Sequence, residues 1–479
     1  MLKLFNSYSG KTEEFEPIIP DKVSMYVCGP TVYDYPHLGH ARCYITWDVV
    51  YRYLKFLGYD ITYCRNVTDV DDKILAKAEK EGISPDEVAK KYYDIFTESM
   101  KKLNNLKPDL EPFATKNLGE MIAINKILID KGFAYESDGD VYFRVKKFPQ
   151  YGCLSKQPIG DLEAGARVEA STKKEDALDF ALWKKDDKHG YTSPWGKGRP
   201  GWHIECSAMA KKHLAEQIDI HAGGADLIFP HHENEIVQSQ AANGVQFVKY
   251  WMHNGFVTIN KEKMSKSLDN FLTIDSILEN YDSNTIRLFI LTNHYRMPVE
   301  FNDEALESAA AGAKRLVNSV NSLLGYAGKE NLIDNTDSEE LAQFKEAMDD
   351  DFNTSKALAI LFDLANKGNR AKDDNDKESA LKYLSSLMVI ARVLGFDFEK
   401  VEIDENQLKE KLDVIIGELD FIEDKNVGAF DIMKKIIEVR NQARADKNWA
   451  VADKIRDELD KIGIVLKDTK DGITNWELK

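Results

Sequence analysis

The chain has no hydrophobic run long enough to cross a bilayer. Its opening residues, Met1-Leu2-Lys3-Leu4-Phe5, have neither the apolar core nor the cleavage site of a signal peptide. No membrane partner and a cytoplasmic location are therefore expected. Cysteine is scarce and odd in number, five in 479 residues, with no close, even spacing. That excludes a disulfide-stapled module and agrees with a reducing compartment. Positive charge is also short, 64 Lys and Arg against 81 Asp and Glu, for a net −17. A globally basic nucleic-acid binder is excluded, but a local basic patch is not, since phosphate binding depends on where the cations cluster. No CxxC pair, HExxH motif, internal repeat or low-complexity tract is present.

What is present, 43% hydrophobic and 30% charged residues over this length, describes a soluble globular protein with several domains. Strand and helix patterns alternate over residues 1–115 and return over 195–255, as expected for two halves of a parallel-sheet nucleotide-binding domain. Residues 116–194 read as an inserted α+β module, with the alternating run Asp140–Val145 as a strand and Thr172–Lys188 as a loop. A linking unit is expected over 256–306 and a helical bundle over 307–400. Asp349, Asp350 and Asp351 read there as helix caps or exposed surface. Residues 401–479 form the last unit, in which the acidic stretch Glu402–Asp424 reads as a tether. No long apolar stripe calls for a dimer.

Two short motifs carry the strongest chemistry: His37-Leu38-Gly39-His40 and Lys263-Met264-Ser265-Lys266-Ser267. The first follows the apolar run Val23–Val27 and a Cys-Gly-Pro-Thr turn, and precedes the amphipathic stretch Ala41–Leu57, which puts the histidines at a helix N-terminus. Such a terminus offers free N–H groups and the positive end of the helix dipole to phosphate, and Gly39 leaves room for a flat base. Lys263 and Lys266 add positive charge. When a carboxylate attacks the α-phosphate of ATP, negative charge gathers on the phosphoryl oxygens and on departing pyrophosphate. Imidazoles and ammonium groups held in place stabilise it, and no general base is needed because the attacking carboxylate is already ionised.

A second constellation is Cys28, Cys206, His231 and Glu235. The i, i+4 spacing of His231 and Glu235 puts both on one helix face, and thiolate, thiolate, imidazole and carboxylate match the donor set of zinc. Spacing alone leaves open the alternative that both cysteines are small buried hydrophobes. Cys43, Cys64 and Cys153 have no metal-like spacing and read as buried thiols. His203, His213 and His253 read as structural or solvent-facing. His221-Ala222-Gly223-Gly224-Ala225-Asp226 is either a ligand loop or an ordinary Gly-rich turn.

The two motifs resemble the signatures of class I aminoacyl-tRNA synthetases, with Leu38 where isoleucine is frequent. Met25-Tyr26-Val27-Cys28-Gly29-Pro30-Thr31-Val32-Tyr33-Asp34, Asn66–Ile74, Gly201–Cys206 and Phe229–Glu235 resemble, block by block, the bacterial cysteinyl-tRNA synthetases, a similarity covering essentially the whole chain. The resemblance implies a Rossmann-like α/β catalytic domain with an α+β insertion, then an α-helical bundle and a small C-terminal anticodon-binding domain. It implies a ligase that activates L-cysteine with ATP and passes it to the 3′ end of tRNA-Cys. His37, His40, Lys263 and Lys266 would serve the reaction, and His37, Gly39, His40, Lys266 and Asp226 would hold ATP with its Mg²⁺. Gly29, Thr31, Thr68, Trp202 and His221 would meet the substrate. One Zn²⁺ on Cys28, Cys206, His231 and Glu235 would bind the substrate thiolate, which serine cannot match, so no editing domain is needed or found. The family also leans to a monomer.

At the C-terminal end, Arg440, Arg444 and Lys447 share a helix face that composition alone leaves as a solvated surface. The resemblance makes Arg440, Arg444 and Trp476 contacts to tRNA, with Trp476 stacking on a base; a core tryptophan is the alternative. Two other functions were weighed. Relatives that join cysteine to an amino sugar lack a full anticodon-binding end, and a non-catalytic RNA- or zinc-binding descendant has no reason to keep both histidines and Lys266.

Overall fold

The second half of β1 (Lys22–Val27) is buried on both faces, with Met25, Tyr26 and Val27 wholly covered, as the middle strand of a parallel sheet must be. The computed structural model describes residues 1–157, 173–259, 262–263, 272–333, 338–398, 405–418, 428–468 and 474–478. From β1 a loop leads into α1 (Leu38–Phe56), whose first turn carries no acidic residue and whose Tyr44, Ile45, Trp47 and Leu54 are buried. β2 (Asp60–Arg65) returns parallel to β1, with Tyr26 opposite Cys64. After an insertion, α2 (Trp202–His213), β3 (Ile218–Gly224), α3 (Glu233–Asn243) and β4 (Val248–Asn254) complete a four-stranded sheet in the order β4-β3-β1-β2, parallel throughout. Parallel strands joined by helices bring their carboxyl ends to one edge, the place where such sheets bind ligands. Cys28, Asn66 and Asn254 stand at that edge, each at or just past the end of its strand.

The insertion is helical first, including Leu118–Asp130, and then forms an antiparallel five-stranded sheet. Its strands lie side by side in the order Ala134–Ser137, Asp140–Phe143, Phe180–Lys185, Gly196–Pro200, Tyr191–Ser193. Two expectations change here. Thr172–Lys188 is not simply a loop, because Phe180–Lys185 is a strand whose Leu182 and Trp183 are wholly buried. The sheet also runs past residue 194 to Pro200, where Trp183 pairs with Pro200.

Beyond β4, α4 (Ser283–Leu291) precedes four bundle helices, Asp303–Ala327, Glu339–Asp349, Thr354–Asp373 and Lys377–Leu394. Two buried arginines stitch α1 to its surroundings. Arg42 donates to the carbonyls of Ile290, His294, Tyr295 and Met297. Arg287 of α4 donates to Asp48 Oδ2 of α1 at 2.5 Å and to the carbonyls of Leu103 and Leu394. Asp351 departs from the surface reading. It is buried and accepts from Phe5 N, Tyr295 O–H and Arg296 Nε at 2.7–2.8 Å, tying the N-terminal strand Lys3–Asn6 to the start of the bundle.

The chain divides into two compact units, Met1–Phe398 and Glu399–Lys479. The second has helices Glu405–Ile415, Ala429–Ala445 and Trp449–Lys461 and an antiparallel hairpin, Ile464–Asp468 with Thr474–Leu478. The acidic stretch is therefore no plain tether: Leu408 and Leu412 anchor a helix in the unit's own core beside Ile432 and Ile455. No helix among the described residues is long and apolar enough to cross a membrane.

Asp48→Ala would leave the buried Arg287 guanidinium without its carboxylate. The expected cost is about 3–5 kcal/mol, read by urea denaturation. A loss below about 1 kcal/mol would show that the backbone carbonyls hold Arg287 by themselves.

Candidate active site and metal centre

The loop leaving β1 turns sharply because Gly29 lies against Asn66. A Cβ on Gly29 would come within 1.5 Å of the Asn66 carbonyl oxygen, and Gly29 N donates to Asn66 Oδ1 at 2.8 Å. Any side chain at 29 would push β1 and β2 apart at their carboxyl ends. That fit fixes Cys28 at the edge of the sheet, where its N–H reaches Ala222 O of β3. Thr31 and Thr68 continue the pairing of the two loops, through Val32 N to Thr68 O and Thr68 N to Pro30 O.

Four donors converge here from separate elements: Cys28 after β1, Cys206 on α2, His231 just before α3, and Glu235 within α3. Cys28 Sγ lies 3.8 Å from Cys206 Sγ and 3.7 Å from Glu235 Oε1. His231 Nε2 is 3.5 Å from Cys206 Sγ and 3.0 Å from Glu235 Oε1. Zinc bonds of about 2.0–2.3 Å give tetrahedral edges of roughly 3.3–3.8 Å, so the four atoms have close to the spacing that one ion requires. Their charge states fit as well. Burial pushes the Cys28 thiol up. Burial also works against the Cys206 thiolate, but the hydrogen bond from Cys28 and the proximity of His231 bring Cys206 down to about 6. Burial likewise opposes ionisation of Glu235, yet His221 and His231 hold its carboxyl down to about 2. An anionic thiol and a carboxylate aimed at one point suit a dication. The buried group can bind a metal.

Beside the thiols opens a cavity of about 350 Å³ whose walls include Gly29, Thr31, His37, Gly39, His40, Trp202 and Asp226. His37 and His40 stack with ring centres 3.8 Å apart at the N-terminus of α1, and His37 N donates to His40 Nδ1 at 3.1 Å. The segment after the lysine motif joins them: Leu38 N donates to Leu272 O, and His37 pairs with Thr273. Lys263 is placed as backbone, in a short strand opposite Thr258, and Lys266 lies outside the described residues.

Two expected pocket residues stand elsewhere. Thr68 is buried behind the cavity wall, and its hydroxyl donates to Glu205 Oε2 at 2.7 Å. His221 is wholly buried against Trp251, with Nε2 2.9 Å from Glu235 Oε2. Trp202 does reach the cavity, with its ring centre 4.1 Å from that of His231. Sequence reasoning passed over His232, whose Nε2 is 3.2 Å from Cys28 Sγ. It also passed over Asn254 and Lys73, which line the cavity. His232 had a signal, the i, i+3 spacing to Glu235; the other two had none.

In the C-terminal unit, Arg440 is buried and donates to Thr474 Oγ1 at 3.1 Å, tying helix to hairpin instead of facing solvent. Trp476 is partly buried against the core, with its ring 6.3 Å from that of Phe430. Arg444 is half-buried, and Trp449 is the more exposed tryptophan.

Comparison with known proteins gives a consistent picture. A family model described as the class I (C) tRNA synthetase catalytic domain matches residues 14–311. A DALR domain matches 343–399, and a cysteinyl-tRNA ligase anticodon binding domain matches 433–474. The chain is 46% identical over 480 residues to the cysteine–tRNA ligase of Hahella chejuensis, covering 100% of both chains. To that of Geobacillus thermodenitrificans it is 45% identical over 490 residues, covering 99% of both. Among solved structures it resembles Mycobacterium tuberculosis methionyl-tRNA synthetase in complex with methionyl-adenylate. The TM-score is 0.58 at 15% identity, over 78% of this chain and 89% of that one, a likeness of fold.

Cys28→Ser should lower the metal content of purified protein well below that of the parent, read by elemental mass spectrometry. Full retention would remove Cys28 from the donor set.

Proposed function

This chain belongs to the cysteinyl-tRNA synthetase family, the cysteine–tRNA ligases of class I, and from that premise we propose how its own residues divide the work. The reaction uses tRNA, ATP and an amino acid. The observation that carries our reading is that the histidine turn of α1 and the thiol-lined donor group open onto one cavity.

In the first half-reaction a carboxylate oxygen of cysteine attacks the α-phosphorus of ATP, and the bond to pyrophosphate breaks. His37 and His40, at a helix N-terminus free of acidic residues, stabilise the growing charge with the α1 dipole. Lys263 and Lys266 add charge to the departing pyrophosphate, and Mg²⁺ enters with ATP. Gly39 and Asp226 hold the nucleotide. Gly29, Thr31 and Trp202 bound the amino acid, and Thr68 and His221 act from behind them. In the second half-reaction the terminal ribose hydroxyl of tRNA-Cys attacks the carbonyl carbon and AMP leaves.

The metal is zinc, one per chain, held by Cys28, Cys206, His231 and Glu235. When bound it supplies a soft acceptor for the substrate thiolate, which the serine hydroxyl fills poorly. The chain's own contribution is to keep Cys206 and Glu235 anionic and to hold His231 against Trp202. Residues 116–200 meet the acceptor end, and the C-terminal unit reads the anticodon through Arg444, with Arg440 as a positioning residue and Trp476 at the edge of the core. The protein acts as a cytoplasmic monomer.

The direct test is attachment of labelled cysteine to unfractionated tRNA with ATP and Mg²⁺, beside a serine control. Cysteine-only charging is expected, and equal charging with serine would overturn the thiolate basis of selection. Lys266→Ala should slow cysteine-dependent pyrophosphate exchange about 10²–10³-fold, the scale of losing one charge-stabilising group, with little change in the KM for cysteine. An unchanged rate would take Lys266 out of the transition state.

A further inference from the structure

A second set of four buried donors lies against the first: Cys28, His221, His232 and Glu235. Cys28 Sγ is 3.2 Å from His232 Nε2, His232 Nε2 is 4.0 Å from Glu235 Oε1, and His221 Nε2 is 2.9 Å from Glu235 Oε2. The first two, with the 3.7 Å from Cys28 Sγ to Glu235 Oε1, bracket the roughly 3.3–3.8 Å edges of a zinc tetrahedron, while His221 meets the other oxygen of the same carboxylate, and all four donors lie within 4.8 Å of one another. The two sets have Cys28 and Glu235 in common, so they share the edge of 3.7 Å between those residues.

Of the two imidazoles in the second set, His232 has the outer support that metal-binding histidines usually show, whereas His221 Nδ1 is buried with no hydrogen-bond partner among the described residues. His232 Nδ1 lies 2.8 Å from His253 Nε2, and His253 Nδ1 lies 2.8 Å from Ser7 Oγ, a chain that holds the His232 ring with Nε2 towards the thiol. Adenylate formation, as read above, makes no use of His232.

The sets differ in access. The first borders the substrate cavity through Cys28 and through His231, which is covered by the cavity-lining Trp202. In the second, Cys28 lines the cavity, whereas His221 and His232 are wholly buried against Trp251.

We propose that Cys28, His221, His232 and Glu235 form a second, closed seat for the same divalent ion, edge-shared with the first, in which the ion is out of reach of the substrate thiol. The inference rests on the reading of the first seat as the working metal site. One ion per chain would occupy one seat or the other, because both draw on Cys28 and Glu235.

The test loads metal-free, full-length protein with Co²⁺ and compares four forms: the parent, Cys206→Ser, His232→Ala, and the two substitutions together. Affinity is read by chelator competition, and thiolate ligation by the sulfur-to-cobalt charge-transfer absorption. The parent should take one ion and gain charge-transfer intensity when free cysteine is added. In Cys206→Ser the ion moves to the second seat, so one ion remains, with weaker absorption that free cysteine does not raise. Adding His232→Ala should then cost at least about tenfold more in affinity than the same change costs in the parent, a coupling that a purely supporting histidine would not give. Equal costs in the two backgrounds would overturn the second seat, as would a cysteine response retained in Cys206→Ser. A parent that bound no cobalt would instead bring down the first-seat reading. If a form carrying His232→Ala fails to fold, His232→Gln takes its place, and if Cys206→Ser fails, Cys206→Ala does, so the cycle still closes.

Discussion

A carboxylate with no exposed surface must find its polar partners where it stands, and Glu235 is met from two sides, by His221 on β3 and by His231 at the turn before α3. Those contacts lock three consecutive elements of the sheet layer into one register. With them comes the position of Cys206, because its Sγ touches the His231 ring, and of Cys28, which meets both Cys206 and Glu235. The candidate metal centre is therefore a buried charge cluster that the fold has to satisfy in any case. An ion placed among these groups replaces hydrogen bonds that already hold the donors in line.

The histidine side of the cavity is built on a different principle. α1 is held as a rigid strut by Asp48 and Arg287 along its length and by Arg42, which binds carbonyls in the last turn of α4 and just beyond it. Neither arginine faces solvent, so the strut is fixed by groups that cannot exchange their partners for water. The stacked histidines at its N-terminus inherit that rigidity, and preorganisation of this kind is what transition-state charge stabilisation needs. The Asp351 hub does similar work beside the Arg42 contacts, binding the strand Lys3–Asn6, Tyr295 and Arg296 after α4, and the bundle.

Much of this was legible in the sequence because it rests on periodicity and on short motifs. The run Val23–Val27 could only be a buried strand, and His231 with Glu235 announced a shared helix face. What stayed hidden depends on contacts distant in the chain. Arg440 reads as a surface cation until Thr474, 34 residues away, is seen to bury it. The aspartates at 349–351 read as solvated until Phe5 and Tyr295 close over Asp351. Phe180–Lys185 is hidden among lysines and has no strand alternation to give it away, only the short apolar run Phe180-Ala181-Leu182-Trp183. Glu402–Asp424 looked too acidic to pack, yet Leu408 and Leu412, four residues apart, suffice to seat one helical face.

The pairing of Leu272 and Thr273 with the histidine turn, together with the strand that fixes the backbone of Lys263, sets a limit on reach. A chain spans at most about 3.3–3.6 Å per residue. Lys266 therefore cannot stray more than roughly 10 Å along the backbone from Lys263, nor more than roughly 25 Å from the residue that pairs with His37. Whatever path the intervening residues take, any meeting of these lysines with the histidine turn is an intramolecular event, whose chain entropy was largely lost on folding.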